Sequence, residues 1–145
     1  MSTDRVALYV AEPSAKYLNP PPLVVDCSTL AGVLFQEEWQ ELAAARIAGR
    51  TLHAPFLLHL EIASVAVKKY RQGQQELATL GLSEFDSMNI KCHETDRMGA
   101  FELAIRYQLS VYDASYLWLA AELKAPLATF DGKLGRAAQT HLSSL

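Results

Sequence analysis

Leu23-Val24-Val25-Asp26-Cys27-Ser28 is a short β-type run that ends in an aspartate and turns at once into a helix. Either Asp26 or Ser28 can cap that helix, whose pattern continues through Phe35. The same alternation repeats toward the C-terminus. Residues 37–48 read as a helix stopped by Gly49, and 51–54 as a strand ended by Pro55. The clearest helix is 56–72, stopped by Gly73, followed by shorter helical pieces around 74–80 and 83–87. Residues 88–93 suit a strand, Thr95 opens a helix to about Tyr107, and Asp113 opens another to Leu123. A last strand, 126–130, runs into Asp131-Gly132 and a short helix. Short apolar strands alternating with helices predict an α/β domain around a parallel sheet.

Toward the N-terminus the pattern breaks. Asn19-Pro20-Pro21-Pro22 suits neither a helix interior nor a central strand, and consecutive prolines favour an extended spacer. This divides the chain into an N-terminal extension, 1–22, and a domain, 23–145. Residues 6–10 of the extension suit a short strand, a disordered tail or a partner-facing arm equally well.

Bulk properties narrow the class. A chain of 145 residues, half of them apolar and a fifth charged, can bury an ordinary core as one domain. No apolar run approaches the roughly 20 residues that cross a bilayer. The apolar stretch 6–11 is shorter than a signal-peptide core of about 7–15 residues, which predicts a cytoplasmic protein without membrane contact. Cys27 and Cys92 have no pairing or metal-type spacing and are expected as buried reduced thiols. A net charge of −3 excludes a protein that coats nucleic acid by its overall field, while an enzyme gripping a few phosphates locally is compatible with it.

The acidic residues carry the chemistry. Parallel sheets hold ligands beyond the carboxyl ends of their strands. Asp26 and Asp131 each follow a predicted strand, and Asp113, after Leu109-Ser110-Val111, can reach the same rim. Glu61 is the most informative. It shares the face of Leu58, Ile62 and Val65 at helical spacing, so its carboxylate points toward the core. A charge there requires a cation, a hydrogen-bond network or a shifted pKa. Each residue also has a purely structural reading: Glu61 paired with an arginine, Asp26 and Asp113 as helix caps, Asp131-Gly132 as a turn. Their joint placement favours a site. Clustered carboxylates recruit a cation, and oxygen-only ligands favour hard ions such as Mg²⁺ or Mn²⁺. His53, His59, His93 and His141 form no zinc-like spacing, and no G-x-S-x-G elbow supports a serine hydrolase.

Several stretches resemble the PIN domain, and most closely the VapC-type toxins of bacterial and archaeal toxin–antitoxin pairs. Val24-Val25-Asp26-Cys27-Ser28 resembles the family's opening strand, with its first Asp and a small hydroxyl residue two positions on. Leu60-Glu61-Ile62-Ala63-Ser64-Val65 resembles the helix that carries its Glu. Tyr112-Asp113-Ala114-Ser115-Tyr116-Leu117-Trp118-Leu119-Ala120 resembles its third motif, and Pro126-Leu127-Ala128-Thr129-Phe130-Asp131-Gly132-Lys133-Leu134 its last acidic strand end. Order and spacing agree over about residues 23–138.

The resemblance implies a PIN-like fold with Asp26, Glu61, Asp113 and Asp131 in one acidic pocket at the strand ends. It also implies hydrolysis of RNA phosphodiesters, with Asp26, Asp113 and Asp131 holding Mg²⁺ or Mn²⁺ and Glu61 contributing directly or through water. Ser28 and Thr129 would support a carboxylate or a water, although capping and strand packing explain them equally well. A cognate antitoxin and a homodimer are the implied protein partners, the latter served by apolar surface on the first two helices. Lys68, Lys69, Arg71, Lys133 and Arg136 are candidate RNA-phosphate ligands, and a solvated charged face is their plainer reading. Two other functions stay open: a non-catalytic PIN-like module binding RNA or protein, and a related DNA nuclease.

Overall fold

The computed structural model describes residues 6–13 and 20–145. Asn19 and the rest of 1–5 and 14–19 lie outside the described residues. The elements are β1 (Tyr9–Ala11), β2 (Pro22–Val25), α1 (Cys27–Leu34), α2 (Gln40–Ile47), β3 (Thr51–Pro55) and α3 (Leu58–Arg71). They continue with α4 (Gln75–Ser87), β4 (Ile90–His93), α5 (Arg97–Tyr107), α6 (Val111–Leu123), β5 (Leu127–Thr129) and α7 (Gly132–Leu142).

The strands form one sheet in the order β1-β5-β2-β3-β4. All pairs are parallel except β1 with β5, which is antiparallel. Leu23, Val24 and Val25 run consecutively at 0 % exposure, so both faces of the central strand are covered, as parallel sheets require. One helical group centres on α1, with α2, α3 and α4 against it; α6 crosses β2, β3 and β5 with α5 and α7 beside it. The α/β architecture expected from the alternation is therefore present, with the single antiparallel edge as an addition.

Several local expectations are corrected. Pro22 is the first residue of a central strand, paired with Thr51. The first strand position tolerates proline, and the neighbouring Thr51 N–H is satisfied by the Pro21 carbonyl at 3.0 Å. Of the alternatives for residues 6–10, the strand is the one observed, with Tyr9 opposite Thr129. The pieces around 74–80 and 83–87 are a single helix, α4, which passes through Gly81. Glycine is needed there by packing rather than by a turn: a Cβ would come within 2.3 Å of the Phe35 ring. Helix α1 is buried along Thr29–Gly32 and at Leu34, so apolar surface on the first two helices comes from α2, where Leu42 is exposed. Large exposed apolar side chains stand also on α3, α5 and α6, including Leu60, Val67, Met98, Phe101 and Tyr112. Cys27 and Cys92 are free thiols, half-buried rather than buried.

Candidate functional site

The loops after β2 and β5 and the starts of α3 and α6 meet at the carboxyl edge of the sheet. Asp26 follows β2 and caps α1: its Oδ1 accepts from the Thr29 amide at 3.0 Å, the Thr29 hydroxyl at 3.1 Å and the Ser28 hydroxyl at 2.7 Å. Its Oδ2 accepts from the Thr129 hydroxyl. Thr129 in turn accepts from the Asp131 amide at 3.0 Å, and Ser28 Oγ accepts from the Phe130 amide at 2.9 Å. The two hydroxyls thus tie the end of β2 to the end of β5. Asp26 is only 5 % exposed, and burial raises its pKa against the bonds from Thr129, Ser28 and Thr29 that favour the anion.

Asp113 does not cap α6. Ser110 holds that position, its Oγ accepting from the Asp113 amide at 3.0 Å. The carboxylate of Asp113 accepts no hydrogen bond from any described residue. Burial, then Asp131 and Asp26, push its pKa up to about 6, with Lys133 opposing. A half-buried carboxylate repelled by two others and accepting no hydrogen bond from a described residue is chemically suited to a cation.

Glu61 lies in the first turn of α3, on the face of the buried Leu58 and Ile62. Tyr116 Oη donates to its Oε1 at 2.5 Å, taking the place given to an arginine in the structural reading. Burial raises the Glu61 pKa; the Tyr116 bond lowers it, and Asp113 and Asp26 raise it further. Asp131 is exposed and caps α7, its Oδ1 accepting from the Leu134 amide at 2.9 Å. It reaches the cluster through its field on Asp113. The Cys27 thiol registers the same negative potential, pushed up to about 12 by burial, then Glu61 and Asp26.

Tyr116 and Thr29 were not among the expected site residues. Tyr116 is three residues beyond Asp113 on α6 and therefore on the same helical face, a spacing that could have drawn attention to it. Thr29 is the third residue of a capped helix, where a hydroxyl and an amide both face the cap. Among the basic candidates, Lys133 and Arg136 stand on the first turns of α7 beside Asp131. Lys68, Lys69 and Arg71 stand about 10–15 Å farther along α3 than Glu61. Lys69 is engaged with Glu37 at 2.6 Å.

Among the described residues, no three His, Cys, Asp or Glu side chains stand close enough to enclose a metal ion as they lie. That geometry does not suit a closed tetrahedral zinc site. It does suit Mg²⁺ or a similar hard ion, which commonly takes one or two carboxylates and keeps several waters. Asp113, which accepts no hydrogen bond from a described residue, is the group best fitted to it.

This environment has a consequence for stability. The Asp113 carboxyl titrates from 3.8 in the unfolded chain to about 6 in the folded one, so the folded state holds that proton more tightly. Its contribution is complete below pH 3.8 and is lost as pH rises through about 6. In EDTA, Asp113→Asn should therefore gain on the parent in urea midpoint across that window. A difference between the two proteins that stays constant with pH would contradict the raised pKa.

Comparison with known proteins bears on the family and the fold. The family model for the PIN domain matches residues 23–139, and the chain belongs to that family. Ribonuclease VapC3 of Pyrobaculum aerophilum is 31% identical over 119 residues, covering 77% of this chain and 91% of that protein. The crystal structure of PAE2754, also from Pyrobaculum aerophilum, superposes with a TM-score of 0.63 over 85% of this chain and 93% of that one. At 22% identity this second likeness speaks for the fold alone. No helix among the described residues is long and apolar enough to cross a membrane.

Proposed function

We propose that this protein is a divalent-metal-dependent endoribonuclease that acts in the cytoplasm as the toxin of a toxin–antitoxin pair and is restrained by a cognate antitoxin. The observation that carries the reading is the uncommitted Asp113 carboxylate, held against Asp26 and Asp131 in a chain related to a ribonuclease. Asp26, Asp113 and Asp131 would hold Mg²⁺ or Mn²⁺, with Glu61 contributing directly or through a water. When bound, such an ion supplies Lewis-acid stabilisation of phosphoryl charge and acidifies the attacking water.

The chain's own residues have separable tasks. Ser28 and Thr29 saturate Asp26 Oδ1, which keeps Oδ2 as the oxygen left for a ligand. Thr129 fixes the orientation of that oxygen. Tyr116 holds Glu61 in place and, by donating to it, favours the anion that can accept a proton from water. Lys133 and Arg136 bring positive charge to the edge of the acidic cluster, where an RNA phosphate must approach. Lys68 and Arg71 would reach only a longer RNA, and Lys69 less readily because of Glu37. The apolar groove formed by Leu57, Met98, Phe101, Val111 and Tyr112 is the face we assign to a second copy in a homodimer.

The reading is tested by incubating total RNA with the purified protein in Mn²⁺, Mg²⁺ or EDTA and mapping the new ends. Cleavage with either ion and none in EDTA is the expected result. Intact RNA in all three conditions, or equal cleavage in EDTA, would overturn it.

A further inference from the structure

The N-terminal extension contributes a side chain to the rim of the site. Register places Tyr9 of β1 directly opposite Thr129 of β5, the residue whose hydroxyl joins Asp26 to the Asp131 amide. The Tyr9 ring lies along α7 over Gly132 and Gly135, which share a helical face at a spacing of three residues. Contact is close enough that a Cβ on Gly135 would fall 2.3 Å from both Cβ and Cγ of Tyr9. From there the ring runs toward the start of the helix. Its hydroxyl is 3.1 Å from the point a Gly132 Cβ would occupy, and Arg136 Nη1 is 2.9 Å from that same point. Gly132 is the residue after Asp131.

Two hydrogen-bond donors therefore converge above a bare glycine at the edge of the acidic cluster. Neither the Tyr9 hydroxyl nor the Arg136 guanidinium is bonded to a described residue. Lying 3.1 Å and 2.9 Å from one point, the two donors are no more than 6.0 Å apart, a span that one anionic oxygen can bridge with two hydrogen bonds of about 2.9 Å. A guanidinium and a phenol suit an anionic oxygen, and a phosphate matches the planar fork of arginine. The PIN-domain match begins at residue 23, so Tyr9 lies outside it.

We infer that Tyr9 and Arg136 together bind a backbone phosphate of the RNA, next to the one that is cut, and that the extension is in this way part of the substrate-binding surface. The inference rests on the ribonuclease reading and deepens it. Carboxylates with a cation would take the scissile phosphate, and the Tyr9–Arg136 pair would set the register of the neighbouring nucleotide.

The test uses the full chain and a synthetic oligoribonucleotide spanning a cut site mapped with the parent. Tyr9→Phe keeps the ring packed on both glycines and removes only the hydroxyl. It should raise KM by at least about tenfold, the lower end for one hydrogen bond to a charged group, with kcat changed by less than about twofold. Arg136→Gln should raise KM as well and should flatten the dependence of log KM on log salt by about 0.7, the loss of one phosphate contact on a single strand. Melting midpoints of both variants should match the parent.

A Tyr9→Phe protein with the parent's KM would overturn the inference, because the ring would then serve only to pin β1. A fall in kcat at unchanged KM would also overturn it, since that result would route the effect through Thr129 and Asp26. If the parent itself cleaves no RNA with Mg²⁺ or Mn²⁺, the ribonuclease reading fails first and takes the phosphate contact with it.

Discussion

Asp113→Asn is expected to lower RNA cleavage by at least about 100-fold, the usual effect of removing one electrostatic group from a catalytic centre. The same variant should be at least as stable as the parent without metal. Both halves follow from one fact. Ser110 caps α6, so the Asp113 carboxylate is not needed as a cap and accepts no bond from a described residue. It is instead repelled by Asp131 and Asp26. Removing its charge relieves the fold and deprives a cation of its most available ligand. Initial rates on a mapped oligoribonucleotide and urea melts in EDTA measure the two effects. Mn²⁺ should raise the melting midpoint of the parent more than that of the variant. Retained activity would remove Asp113 from the site, and a clear loss of metal-free stability would return it to a structural role. Asp26→Asn is the less discriminating change. Asp26 holds α1 as well as the site, so its substitution disturbs the Thr129 bond together with the charge.

Thr129→Val should produce the second-largest effect, and on both quantities. Valine keeps the volume and the strand preference of threonine while removing the hydroxyl. Asp26 Oδ2 then loses its donor and the Asp131 amide loses its acceptor. Leaving buried polar groups unpaired costs about 1–3 kcal/mol, which a urea melt resolves. Activity should suffer through Asp26. Thr129 is the largest influence holding that pKa down against burial, so its loss raises the pKa further and favours the protonated acid. The sign is definite: the acid limb of the activity profile should move to higher pH. The Mn²⁺ concentration for half-maximal activity should rise by about 10–100-fold, as when a partner of a metal ligand is removed. Thr129→Ser, which restores the hydroxyl, should recover most of both losses. A valine variant with the parent's pH profile would show that Thr129 only packs the strand.

The acidic edge combines groups held firmly with a group left free. Asp26 has its oxygens directed by Ser28, Thr29 and Thr129, and Glu61 is held by Tyr116. Asp113 has no such support from a described residue. If a cation binds there as proposed, orienting some carboxylates while leaving one unsatisfied would stabilise the bound form relative to the metal-free one. The linkage makes ion binding and folding stability two readouts of one arrangement.

Local chemistry in the sequence determined the alternation of strands and helices, the position of Asp26 and Asp131 after strands, and the inward face of Glu61. Each depends on neighbours within a turn or a strand: period-two and period-3.6 patterns, caps, and the glycines that stop helices. Tertiary structure alone decided the rest. Asp-Ala-Ser-Tyr at 113–116 reads as a cap until Ser110 is seen to hold that place, which releases Asp113 and turns Tyr116 toward Glu61, 55 residues away. Gly81 reads as a break between helices until the Phe35 ring is found against it. The proline run separates residues 6–10 from the domain in sequence, whereas β1 returns to pair with β5 and brings Tyr9 beside Thr129. No local pattern encodes a contact between residues 9 and 129. It exists because β5 offers an unpaired edge and α7 a glycine face, and both are made only when the sheet assembles.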